Sequence, residues 1–352
     1  MKVLQSKKTT NFILLALFFL AAAAFRPVFA PLPAAPKPRL SEYGFFTGPL
    51  ANLTAAERVF PYEVNAPLFS DYAEKARFIA LPPNASMRYQ TEAAFDFPTG
   101  AVLIKNFYYP IDATQPNKGR RILETRLLIR EESGWKALDY LWNAEQTEAT
   151  LEVAGANFPV DWVDATGKKQ DLQYVVPNVN QCKGCHSYDG QFVPIGITAR
   201  QLNKHTPAGE NQLSLWQKQG YLSLPAGFDP AQAPRLTDYR LPDASLPLRA
   251  RAYLDGNCGH CHNPHGPAST SGMFLHDAET DPERLGVGKA PVAAGRGSGN
   301  RRFGIVPGKP NESILVYRME SNDPGIRMPE LGRQVAHKEG VALIKAWIKE
   351  LK

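Results

Sequence analysis

Three hydrophobic patterns divide the chain. At the start, Lys2, Lys7 and Lys8 precede an unbroken apolar run from Phe12 to Phe25, with small residues around Ala24 and Ala30. A positive start, a short apolar core and an alanine-rich end make the pattern of an export signal over residues 1–30, and the run is short for a bilayer span. An uncleaved membrane anchor ranks second, because Pro31 follows the expected cut. Residues 31–40 form a proline-rich lead that suits neither a regular helix nor a central strand.

From 41 to 175 the spacing is that of strands. Ala101–Tyr109 is rich in β-branched and aromatic residues and lies between Pro98-Thr-Gly100 and Pro110. Glu124–Arg130 and Trp135–Trp142 flank Glu131-Glu-Ser-Gly134. These runs predict a meander of short antiparallel strands. No catalytic arrangement stands out from the composition of this part.

Beyond 175 the apolar period lengthens. One helix is expected within 209–220, ended by Gly220 and Pro225, and another over Leu246–Leu254. Val341, Ile344, Ile348 and Leu351 recur at helical spacing in a terminal helix, with Trp347 beside the stripe. Between the first two helices, Phe228–Leu246 reads as a linker or wrapping loop. The expected architecture is multidomain α+β. A β-rich domain at 41–175 is followed by a segment at 176–245 and a small, mostly helical domain at 246–352.

Composition narrows the class. With 43% hydrophobic and 21% charged residues, the 352-residue chain can build two or three packed domains and is not disordered. Lys2, Lys7, Lys8 and Arg26 account for four of the +6 formal charges, leaving about +2 after residue 30. With no basic cluster interleaved with aromatics, nucleic acid is not an expected partner.

The four cysteines carry the chemistry. Four in an exported chain would ordinarily suggest two disulfides. Here all four fall in two units, Cys182-Lys-Gly-Cys185-His186 and Cys258-Gly-His-Cys261-His262. Two thiols at this spacing can each form a thioether to a haem vinyl group, and the following histidine is then held beneath the iron. The expected cofactors are therefore two covalently attached haem c groups, with His186 and His262 as proximal ligands. Zinc or dithiol chemistry explains a lone Cys-x-x-Cys but not the repeated histidine.

The sixth ligands are less evenly marked. Met328, between Arg327 and Pro329 and ahead of the terminal helix, is the expected partner of the Cys258–His262 haem. Pro329 restricts the backbone beside it. For the first haem, no methionine lies between Cys182 and Cys258; His205 is the histidine nearest in sequence and Met87 a second donor. His260 is expected to point away from the iron, His265, His276 and His337 to be surface or loop residues, and Met273 and Met319 to fill core space.

Cys258-Gly-His-Cys-His262, Arg327-Met-Pro-Glu330 and the closing helix resemble a class I cytochrome c domain over 246–352. Nearly the whole chain after the signal is similar to a family of exported bacterial dihaem proteins. That likeness lies in Glu124-Thr-Arg-Leu127, Arg200-Gln-Leu-Asn203, Asn211-Gln-Leu213, Arg251-Ala-Tyr-Leu254 and Pro329-Glu-Leu-Gly332. It implies a dihaem cytochrome and names no substrate. Electron transfer between periplasmic donor and acceptor proteins is the leading expectation, with a membrane-associated redox partner as one option. A dihaem peroxidase or oxidase with an open first haem comes next, and a haem-containing structural or sensory protein third.

Overall fold

The computed structural model describes residues 35–352, so the expected export signal and the first residues of the proline-rich lead lie outside the described residues. Strands form where β-branched and aromatic residues concentrate. β1 (Val59–Pro61), β2 (Glu74–Ala80), β3 (Val102–Pro110), β4 (Arg120–Glu131), β5 (Gly134–Trp142) and β6 (Ala149–Glu152) lie in sequence order in one antiparallel sheet. The expected meander is present; β3 and β5 match their apolar runs to within a residue at each end, and β4 begins earlier, at Arg120 rather than Glu124. A separate hairpin, β7 (Ala156–Val163) with β8 (Lys169–Val176), follows.

Period-two alternation gives the sheet two different faces. Val102, Ile104, Leu127, Ile129 and Tyr140 bury against Leu40, Tyr43 and Phe45, so the start of the described chain covers that side. Leu103, Lys105 and Phe107 alternate with them and line a cavity.

The segment after the sheet does not pack by itself. α1 (Val179–Cys185), α2 (Ala199–Leu202) and α3 (Gln212–Lys218) follow β8. Ile197, Leu202, Leu213 and Trp216 share a core with Phe60, Ile79, Met87 and Leu103 of the sheet region. Leu222–Ser223 pairs in parallel with Met87–Arg88, a further tie between the two parts. The expected wrapping loop joins two cores: Ala233 packs in this one, whereas Leu236 and Tyr239 pack with the C-terminal helices.

The C-terminal region is helical, with α4 (Leu246–Leu254), α5 (Ile314–Glu320) and α6 (Lys338–Glu350). The stripe of α6 buries Val341, Ile344 and Ile348, and Trp347 joins them in the core. A Cβ added at Gly340 would run into the Tyr253 ring of α4, so this glycine permits the helices to approach. Gly340→Val is expected to destabilise the fold by about 1–3 kcal/mol through overpacking, read as a lower denaturation midpoint with an unchanged m-value.

Candidate functional site

Both Cys-x-x-Cys-His units sit at the end of a helical segment, and in each the histidine N–H returns to the carbonyl of the first cysteine. Asn178 caps α1, and its side chain and that of Gln181 exchange hydrogen bonds with each other's backbone N–H in a capping box. This fixes a short helix on which Cys182 and Cys185, three residues apart, share a face. The His186 N–H donates to the Cys182 carbonyl at 3.0 Å. In the second unit α4 widens into a π-type turn over Asp255–Gly259, a geometry frequent at functional sites. There the His262 N–H donates to the Cys258 carbonyl at 2.9 Å.

The two histidine rings are held alike. His186 Nδ1 lies 2.7 Å from the Val193 carbonyl oxygen, and His262 Nδ1 lies 3.2 Å from that of Met273. A carbonyl only accepts, so each proton sits on Nδ1 and each lone pair on Nε2. Burial pushes His186 down to about 3 and lowers His262 as well, which keeps both rings neutral. A neutral imidazole with its second nitrogen tied to a carbonyl is the form in which histidine ligates a metal. His186 lines a cavity of about 1020 Å³ and His262 a neighbouring one of about 470 Å³. Both volumes are ample for a bound small molecule or cofactor.

The two units, remote in sequence, touch. Cys185 Sγ, a ring nitrogen of His260 and Cys261 Sγ all lie within 4.8 Å of one another. The Cys261 thiol also approaches the Gly184 carbonyl at 3.9 Å. Hydrogen bonding from Cys261, with a further one from His260, lowers Cys185 to about 5, and the same contact raises Cys261. Burial pushes Cys258 up to about 12. The Cys185–His260–Cys261 trio could also hold a metal ion, although it is one donor short of a four-ligand zinc site. His260, expected to turn away, stands at the junction and lines both cavities.

Met328 lines the second cavity together with His262. Its loop is clamped by Arg333, which is only 3% exposed. Arg333 Nη2 donates to the carbonyls of Met328 at 2.9 Å, Ser321 at 3.0 Å and Met319 at 3.1 Å. Met328 N–H donates to the Arg318 carbonyl at 3.0 Å, and the Met328–Pro329 peptide is cis. Met273 and Met319 line the same cavity.

The donors expected for the first unit lie elsewhere. His205 is exposed, bridged to Asn211 in the turn before α3, and lines neither cavity. Met87 is fully buried in the core shared by sheet and α3 and is not in the first cavity's lining. His265 and His276 do line that cavity, and the buried Nδ1 of His276 has no hydrogen-bond partner.

His337, expected as a loop residue, belongs to an aromatic cluster on the second cavity. Its ring stacks on Phe69 at 4.2 Å, and Nδ1 meets the Tyr253 hydroxyl at 3.1 Å. Burial lowers it from 6.5 to about 4. The unfolded chain therefore binds this proton first on acidification, so the native state loses stability as pH falls from 6.5 towards 4. The loss should be on the order of 2 kcal/mol. Denaturation midpoints at pH 7 and pH 4.5 should differ less in His337→Phe than in the parent chain.

No family model, no curated protein and no solved structure matches this chain. Among the described residues, no helix is long and apolar enough to cross a membrane.

Proposed function

We propose that the protein is an exported dihaem c-type cytochrome that carries electrons between periplasmic redox partners. Cys182, Cys185 and His186 would hold one haem, and Cys258, Cys261 and His262 the other, with Met328 as the sixth ligand of the second. In this reading residues 176–245 form the first haem-binding segment, and 246–352 form a cytochrome c-like domain.

The observation that carries the reading is the matched state of the two histidines. Each follows a Cys-x-x-Cys, has Nδ1 committed to a backbone carbonyl, and faces a cavity. Haem c, when bound, supplies a one-electron iron couple whose potential is set by its axial ligands and surroundings. The chain's own part is to fix the rings, exclude water and hold the two attachment units in contact. Contact between the units favours transfer within the pair, because thioether sulfurs sit at the macrocycle edge.

A second reading, a peroxidase or oxidase with an open first haem, starts from the lining of the first cavity, which includes no methionine and not His205, although His260, His265 and His276 line it. Electron paramagnetic resonance of the oxidised protein separates the two. Two low-spin ferric signals support electron transfer. One persistent high-spin signal, with turnover of peroxide by a reduced donor, supports the enzyme.

A further inference from the structure

The N-terminal sheet presents an unusual row of charge to the first cavity. Arg77 on β2 is the cross-strand partner of Lys105 on β3, Lys105 that of Arg126 on β4, and Arg126 that of Asp139 on β5. Lys75 lies two residues before Arg77, and all five side chains line the cavity. Like charges directly opposite each other on neighbouring strands destabilise a sheet, and burying unpaired cations costs more.

Only Arg126 is compensated. Its guanidinium meets Glu124 at 2.5 Å and Asp139 at 3.5 Å. Among the described residues, Lys75, Arg77 and Lys105 have no carboxylate at ion-pair distance. Lys75 donates to the Leu68 carbonyl at 2.9 Å and Arg77 to the Lys75 carbonyl at 3.4 Å, and among the described residues the Lys105 ammonium has no hydrogen-bond partner. The other acids lining the cavity are engaged. Asp71 accepts from the N–H groups of Gln334 and Val335, Glu92 pairs with Arg200, Asp96 with Arg88, and Asp255 accepts from the Asp277 N–H. Among the described residues the three side chains therefore face the cavity without an ion pair, and Asp71, Glu63 and Glu124 act on them only at longer range.

Space points the same way. The first cavity, at about 1020 Å³, is roughly twice the second, at about 470 Å³, although each takes in one of the two histidines that close the Cys-x-x-Cys-His units. We propose that Lys75, Arg77 and Lys105 form a binding site for a carboxylate-type oxyanion inside the first cavity. The same chemistry is carried by two sources, the propionates of the first haem and a free small carboxylate. The propionate source rests on the dihaem reading; the free-anion source does not. Burial, followed by repulsion from Arg77 and Arg126, lowers Lys105 to about 7, and a bound anion would favour its charged form.

The test uses the purified full-length protein and the single variants Lys105→Met and Arg77→Met, which remove charge but keep an apolar stem. Lys218→Met, in the exposed pair with Glu210, is the control. Acetate is titrated calorimetrically at constant ionic strength, and haem midpoint potentials are measured in parallel. A free-anion site gives saturable acetate binding that weakens at least tenfold in either cavity variant and is unchanged in the control. A propionate site gives no acetate binding. Instead each cavity variant lowers the midpoint of one haem, because losing a nearby cation favours the ferric state, while haem content and the control stay unchanged. Absence of saturable binding together with unmoved midpoints overturns the proposal. If the chain carries no haem the dihaem reading fails, and calorimetry on the same chain still decides whether the cations bind an anion. Either folded variant suffices, so misfolding of one leaves the test intact.

Discussion

Met328→Ala is expected to leave both haems covalently attached while lowering one midpoint potential by roughly 100 mV, about 2.3 kcal/mol for one electron. A thioether is a soft, neutral ligand that favours ferrous iron, so its loss favours ferric iron. The change should be confined to one haem, because Met328 lines the second cavity and not the first. The weak long-wavelength absorption band of methionine-ligated ferric haem should vanish with it. Stability should change little by comparison, because Met328 is only half-buried and the loop is held by Arg333 through backbone carbonyls that alanine retains. An unchanged band and two unchanged midpoints in the folded variant would remove Met328 from the site. Met319 and Met273, in the same cavity, would then be tried in turn.

The second large effect concerns coupling. Cys185 and Cys261 sulfurs within 4.8 Å place the two proposed attachment points side by side. An electron on one haem should therefore make the other harder to reduce, by tens of millivolts in order of magnitude. The reductive titration of the parent protein should be broader than the sum of two single-haem forms. Replacing Cys182 and Cys185 by serine should remove one haem, sharpen the remaining titration to a one-electron step and abolish any magnetic interaction between ferric irons. Additive behaviour of the two single-motif variants, in both titration and resonance spectra, would show that the haems are independent.

The sequence displays some features of the fold openly and hides others. The meander was legible because β-branched and aromatic runs ended at glycine and proline. The terminal helix was legible because Val341, Ile344 and Ile348 repeat at helical spacing. The shared core of sheet and α3 was not, because Trp216 and Met87 are brought together by long-range ties, among them the parallel pairing of Leu222–Ser223 with Met87–Arg88 and the Gln212–Glu63 hydrogen bonds, that no local pattern encodes. For the same reason the nearest histidine in sequence, His205, lies outside both cavities, whereas His276, far along the chain, lines the first.

Within the candidate site, the two Cys-x-x-Cys-His units were readable from spacing alone, but the groups that hold their histidines were not. Val193 and Met273 act through backbone carbonyls, which any residue possesses. Arg333 looks like an ordinary surface cation until the Met328 loop folds around it. The cationic row did leave a trace. Leu103, Lys105 and Phe107 alternate on one face of β3, so Lys105 occupies a position that apolar neighbours mark as inward. Seeing that Arg77 and Arg126 stand beside it required the strand register.

Intact and peptide mass spectrometry tests the central claim most directly. The chain would be produced with its own start in a host that matures c-type cytochromes, then purified from the periplasmic fraction. The account predicts a mass increase of two haems per chain, one on the peptide carrying Cys182–His186 and one on that carrying Cys258–His262. A chain of unmodified mass with four alkylatable cysteines, or one holding a single zinc ion through Cys185, His260 and Cys261, would contradict it.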